Sequence, residues 1–344
     1  MPKIPIILAL FAAILFGAAT PVSKFLLEIF GAYQLAGLLY LGASLGVLPF
    51  ILREKAFSWP WKIDKKTGLL LLGSVLFGGL SGPVLFLFGL RIASAASVSL
   101  WLNLELVATA LLGIILFRDH LTALGWSSFG IMLAAAILLS TGEEKAGLQG
   151  GMLVAAACFC WGLDNHFTAL ITGISPAQTT FWKGLVAGAV NLIIGISTGD
   201  FTLSISKGAM AIGIGAFSYG LSVMMYIIAA QRIGATRSQI IFSASPFFGV
   251  FFSAFFLAEI ISMLQIISAL MILLALVLLF FDHHSHIHWH GTKIHYHWHR
   301  HDDKHHDHGF DDPSHGIFHT HPHQHRKTTH SHPHWPDQNH RHDH

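Results

Sequence analysis

Apolar residues run along this chain in blocks of about twenty, separated by short polar breaks. A bilayer-spanning helix needs about 20 mostly apolar residues. That length predicts ten spans, at roughly 4–27, 33–52, 68–90, 94–117, 123–141, 148–171, 177–197, 207–230, 234–257 and 262–281. The breaks are mostly a handful of residues long. None of the blocks alternates in the manner of outer-membrane barrel strands, so the expected fold class is an all-α membrane protein. The first block, "MPKIPIILALFAAILFGAATP", opens like a signal peptide with Lys3 as its basic region. Its apolar run outlasts the core of such a peptide and many more spans follow, so it reads as a retained first span.

Composition sharpens this picture in one respect. The chain has 344 residues, 53% hydrophobic and only 11% charged, whereas a soluble domain carries roughly 25% charged residues. There is too little charge to cover a water-facing surface. The net charge of +2 hides a segregation, because 23 of the 25 histidines fall within residues 283–344. The two cysteines, Cys158 and Cys160, share one apolar run and give no redox signal; "CFC" reads as packing.

Lys and Arg in the loops set orientation. With the N-terminus inside, nine fall inside (Lys3, Arg53, Lys55, Lys62, Lys65, Lys66, Arg118, Arg232, Arg237) and four outside (Lys24, Arg91, Lys145, Lys207). Both termini are therefore expected in the cytoplasm, in a multi-pass protein of the cytoplasmic (inner) membrane. "FSWPWK" (57–62) fits an interfacial aromatic anchor beside the most basic loop.

The two halves repeat. "RIASAASVSLWLNLELVATALL" (from 91) lines up with "RIGATRSQIIFSASPFFGVFFS" (from 232), and "LFGAATPVSKFL" (15–26) sits over "CWGLDNHFTALI" (160–171). Residues 1–141 and 142–281 are thus expected to be two five-helix repeats, with 282–344 as a separate tail. Five is an odd number, so the copies must insert with opposite topology, an arrangement suited to alternating access around a central site. "FGAATPVSK" and "SPFFGVFFSAFFLAE" (245–259), in this five-plus-five setting, resemble the EamA-type drug/metabolite transporters over about residues 5–281. The resemblance implies a secondary carrier, often an exporter of small metabolites, and not an enzyme. The chain departs from the pattern at Glu105, where the repeat alignment puts Pro246, and at "FRDHL" (117–121), which stands against "LAE" (257–259).

Ionisable residues inside spans are costly and mark functional or paired sites. Asp164 lies seven residues before the inner end of span 6, and Lys183 about seven residues into span 7 from the same side. At about 1.5 Å per residue both sit roughly 10 Å deep on adjacent antiparallel helices, so an ion pair is expected, either structural or solute-binding. Lys183, Ala187 and Asn191 share one face of span 7, where Gly184 and Gly188 allow close helix approach. Asn165 is expected as a hydrogen-bonding ligand. His166 points about 200° away from Asp164 and is either a second ligand or a satisfied core histidine. By the repeat alignment, Asp164-Asn165-His166 sits over Ala19-Thr20-Pro21, both triplets being expected on the central pathway. Glu105, with no basic residue near it in sequence, is either a proton carrier for coupled transport or a carboxyl hydrogen-bonded to Asn103, Trp101 or another helix. "FGGLSGPVLF" (77–86) and "IGAFSYGLSV" (214–223) interrupt corresponding third helices with glycine, a pointer to the binding region. No Gly-rich phosphate loop or H-E-x-x-H motif occurs.

The tail has no packing pattern and is expected to be disordered. Its His-x-His alternation places imidazoles about 6.6 Å apart on one side of an extended chain, spacing that a flexible segment can close around Zn, Ni, Co or Cu. His283, His284, His286, His288, His290, His295, His297, His299 and His301 are the candidate ligands; a pH-responsive polyelectrolyte and an inert tail are the alternatives. No cofactor is required. The expected function is export of a small organic solute with a metal-binding regulatory tail, the second reading is a divalent-metal exporter with the tail as collector, and the third is a membrane metal sensor. The partners expected are the lipid bilayer, a small-molecule solute and divalent metal ions, with a homodimer allowed and no nucleic acid.

Overall fold

The structure is a computed structural model. It describes residues 3–54, 57–117, 122–143, 147–199, 201–281, 284–290, 294–296, 322–324 and 328–334.

Nine described helices are long and apolar enough to cross a membrane: α1 (Ile4–Leu26), α2 (Ala32–Ile51), α3 (Lys65–Ile92), α4 (Ala95–Leu116), α5 (Ala123–Gly142), α7 (Pro176–Ser197), α8 (Ile205–Ile233), α9 (Arg237–Phe256) and α10 (Met263–Phe280). A tenth, α6 (Gly147–Leu170), is 24 residues long and packs among them. It falls below the others in hydropathy because Asp164, Asn165 and His166 sit in its second half. All ten predicted spans are therefore helices, and residues 3–281 are all-helical where described.

Local chemistry sets where these helices start. Asp64, Ser94, Thr122, Ser175 and Ser262 each accept a backbone N–H of the first turn as N-caps, which satisfies donors that have no partner within the helix. Ser262 and Gln265 complete a capping box at α10. Three spans are broken midway. α1 divides at Ala18, between helical stretches Lys3–Gly17 and Ala19–Leu26, because Pro21 lacks an N–H and its ring crowds the carbonyl of Gly17. α4 breaks at Leu102–Asn103 and α9 at Ser243–Ala244, corresponding positions in the two halves. The Gly-interrupted stretches of α3 and α8 each contain a widened π-helical segment, Ser74–Ser81 and Gly215–Leu221.

Glycine lets α2 run against α7 with backbone in contact. A Cβ on Gly184 would lie 2.6 Å from the Tyr40 carbonyl oxygen, and one on Gly188 would lie 2.7 Å from the Leu41 nitrogen. The close approach expected of the Gly-xxx-Gly pair is thus made to α2.

Side chains tie the connections at both ends of the bundle. At one end, Lys24 donates to the carbonyls of Leu90 (2.8 Å) and Ala93 (2.8 Å). There the Glu259 carboxylate accepts the N–H groups of Ala95 and Ala96, both at 2.9 Å, and Glu143 caps Ser94 at 3.0 Å. At the other end, Glu54 accepts from Ser175 (2.6 Å) and from Gln178, and Gln231 donates to the Ile171 carbonyl at 2.8 Å. The "FSWPWK" segment packs there on α7, with Trp59 5.7 Å from Trp182 between ring centroids.

The C-terminal segment is a unit of its own. Its described backbone pairs His284–His290 with Thr328–His334, and Ile294–Tyr296 with Pro322–Gln324, both antiparallel. The side chains of His284, His286, His288, His290 and His295 lie outside the described residues, as do His283, His297, His299 and His301 altogether. Most of the segment expected to be disordered also lies outside them.

Candidate functional site

The site grows out of the widened turn of α3. Widened turns of this kind interrupt the regular helical ladder and are frequent at functional sites. The Gly78 carbonyl accepts a hydrogen bond from Trp161 Nε1 (3.2 Å) and another from the Tyr40 hydroxyl. The neighbouring Gly79 carbonyl accepts from Asn191 Nδ2 at 3.2 Å. A side chain at residue 78 has no room, because an added Cβ would lie 2.2 Å from the carboxyl group of Asp164. The backbone of α3 is thereby pressed against an acid on α6.

Asp164 and Lys183 form the expected ion pair, Nζ to Oδ2 at 2.6 Å, with side chains only 9% and 4% exposed. Ser74, at the start of the widened turn, donates its hydroxyl to the other carboxylate oxygen. Both oxygens of Asp164 are therefore engaged, as a buried carboxylate requires.

Glu105 opens the first turn after the break in α4, and Asn165 reaches it from α6. Asn165 Nδ2 donates to Glu105 Oε1 at 2.8 Å and approaches Thr109 Oγ1 at 3.1 Å and Gln239 Oε1 at 3.4 Å. Glu105 is thus hydrogen-bonded to another helix, one of the expected alternatives. The nearby ammonium of Lys183 is committed to Asp164.

These groups border one central cavity. Its walls are Glu105, Asp164, Asn165, Lys183 and Gln239 together with Val223 and six aromatic residues, Phe16, Tyr40, Trp161, Tyr219, Tyr226 and Phe242. The rings touch in series: Phe16 lies 6.3 Å from Trp161, 5.5 Å from Tyr219 and 5.2 Å from Phe242, and Phe242 lies 5.1 Å from Tyr226. The open space at the centre is about 40 Å³, enough for about three waters at 10–15 Å³ each.

Four of the six sequence-predicted core residues, Glu105, Asp164, Asn165 and Lys183, meet at this cavity. Two do not. His166 is fully buried, with Nε2 2.8 Å from the Thr109 carbonyl oxygen; its helical phase turns it toward α4 and away from the cavity. Asn191 is spent on Gly79 and holds the widened turn in place. The triplet Ala19-Thr20-Pro21, expected to mirror Asp164-Asn165-His166 on the pathway, is buried outside the cavity walls, and α1 contributes Phe16 instead. Sequence reasoning missed Ser74, Gln239 and the aromatic walls, since an aromatic ring in an apolar span looks like ordinary core.

The EamA-like transporter family matches this chain twice, over residues 3–141 and 148–281. The chain belongs to that family, and its membrane part is built as two such repeats. It is also similar to an uncharacterized transporter of Methanothermobacter thermautotrophicus, 28% identical over 295 residues that cover 79% of this chain and 84% of that protein. A solved crystal structure shares the fold, with a TM-score of 0.63 at 15% identity over 80% of this chain and 97% of the other. This chain is a multi-pass membrane transporter and not an enzyme.

Proposed function

We propose that the protein is a secondary active transporter that exports a small organic solute across the cytoplasmic membrane, with both termini inside and the two repeats inserted in opposite senses. The cavity carries this reading. Its walls come from α1, α2 and α4 of the first match and from α6, α7, α8 and α9 of the second, so a solute there is held by both repeats. Charged groups this deep in a bundle are costly, and where they face an internal cavity they mark solute or ion pathways. A centre of about 40 Å³ holds only a few waters, so loading a metabolite requires the two repeats to part. Relative motion of two inverted repeats around a fixed site is alternating access.

The histidine-rich segment serves in this reading as a regulator that senses cytoplasmic Zn, Ni, Co or Cu. Divalent-metal export with that segment as collector is the second reading. It is weaker because, among the described residues, no three His, Cys, Asp or Glu side chains gather as metal ligands.

Reconstituted protein tests the proposal. Liposomes loaded with a panel of radiolabelled small organic solutes are expected to release at least one of them faster than protein-free vesicles, with the Asp164→Asn variant inactive. Release confined to Zn, Ni or Co would replace this reading with metal export. A second expectation concerns the tail. A chain ending at Phe281 retains both repeats and is expected to transport the solute at the full-length rate, while losing only its response to added Zn, Ni or Co. That response should fade below about pH 6, because metal binding needs neutral imidazoles. Equal metal responses in the two forms would show the tail to be inert.

A further inference from the structure

The cavity holds more capacity for a ligand than its own residues consume. Tyr226 is 4% exposed, lines the cavity, and has a hydroxyl without a hydrogen-bond partner among the described residues. It shares the cavity wall with Glu105 and Asp164. An unpaired buried hydroxyl is costly unless a partner arrives with the solute.

Charge selects the solute. Two carboxyl groups face a single ammonium, and that ammonium is held by Asp164 at 2.6 Å. Glu105 accepts from the neutral Asn165 amide at 2.8 Å and, among the described residues, contacts no cation. Among the described residues that line the cavity, Lys183 is the cation, so an anionic solute would meet no positive group there that is not already paired. A cation would find the Glu105 carboxylate in a wall of linked aromatic rings, whose negative faces attract ammonium groups within about 6 Å.

We infer that the cavity takes an organic monocation, a primary alkyl- or arylammonium, held between the Glu105 carboxylate, the Tyr226 hydroxyl oxygen and the aromatic faces. This rests on the transport reading above and names its substrate class. When the cation enters, the O–H bond of protonated Glu105 breaks, its proton leaves to water, and the carboxylate keeps the electron pair and accepts from the ammonium. One cation is exchanged for one proton, so the charge of the site is unchanged. Among the described residues, the other titratable groups around Glu105 are Asp164 and Cys158 from α6, Lys183 from α7, Tyr40 from α2 and Tyr226 from α8. Of these, Asp164 and Lys183 are paired with each other, leaving Glu105 as the group that trades its proton.

Calorimetry on the full-length protein, in two buffers of different ionisation heat, measures affinity and protons released together. The probes are methylammonium, propylammonium and phenethylammonium, with 2-phenylethanol and 3-phenylpropionate as the neutral and anionic counterparts of the last. At least one ammonium is expected to bind with proton release, and the neutral and anionic probes at least tenfold more weakly. Glu105→Gln is expected to abolish the proton release and weaken ammonium binding at least tenfold. Glu105→Asp should restore the release, and Tyr226→Phe should keep it while weakening binding several-fold. Failure of all three ammonium probes, tighter binding of the neutral or anionic probe, or unchanged release in Glu105→Gln would overturn the inference. Liposome flux separates the two levels of the argument. Transport of neutral or anionic solutes alone sinks the monocation and leaves the transporter standing, whereas no transport of any solute sinks both.

Discussion

Lys183→Met is expected to destabilise the protein by about 3–5 kcal/mol and to abolish solute exchange, because it breaks a buried ion pair. The ammonium neutralises an Asp164 carboxylate that is 9% exposed and lies 2.6 Å away. Without it, Ser74 supplies one hydrogen bond to that carboxylate but no charge. Asp164→Asn is expected to cost a comparable amount, because it strands the ammonium. The double variant, Asp164→Asn with Lys183→Met, removes both charges and should recover most of the stability, since replacing a buried pair outright is often close to neutral. Thermal unfolding in detergent reads stability, and liposome flux reads function. A double variant that is both stable and fully active would show the pair to be structural only.

This pair was legible in the sequence because two positions at matching depth on consecutive helices must lie side by side. The ten spans were legible for a similar reason, since apolar length is nearly all that a bilayer demands. The interruptions of α3 and α8 showed as glycine clusters, although their widened form follows from how backbone carbonyls are shared with Tyr40, Trp161 and Asn191. The contact between Glu105 and Asn165 could not be read, because it joins helices 60 residues apart through a neutral amide that leaves no charge pattern. Tyr226 was hidden for another reason. Its ring packs at 5.1 Å from Phe242 like any core aromatic, and only the unpaired hydroxyl marks it. Asn191 is the opposite case. It shares a helical face with Lys183, but the phase of a helix does not say which neighbour that face meets, and here the widened turn of α3 took it.

Gly78→Ala is the second large effect expected, and it tests the geometry without altering any charge. The added Cβ would lie 2.2 Å from the Asp164 carboxyl group. That carboxylate cannot swing aside freely, because Ser74 and Lys183 hold both of its oxygens. The α3 backbone cannot retreat easily either, since Tyr40 and Trp161 are both bonded to the Gly78 carbonyl. Either the pair opens or the widened turn moves, at a cost of about 1–3 kcal/mol for overpacking, and the cavity loses its shape in both cases. Transport should be lost while the protein still inserts and purifies. Gly208→Ala in α8 is the matched control, with nothing within 4 Å of its added Cβ. It should leave transport intact and raise stability slightly, because alanine in a helix is favoured over glycine by roughly 0.5–1 kcal/mol. Equal transport and equal thermal stability in the two alanine variants would show that Asp164 is free to relocate, and that contact with the α3 turn is not what holds the ion pair in the cavity wall.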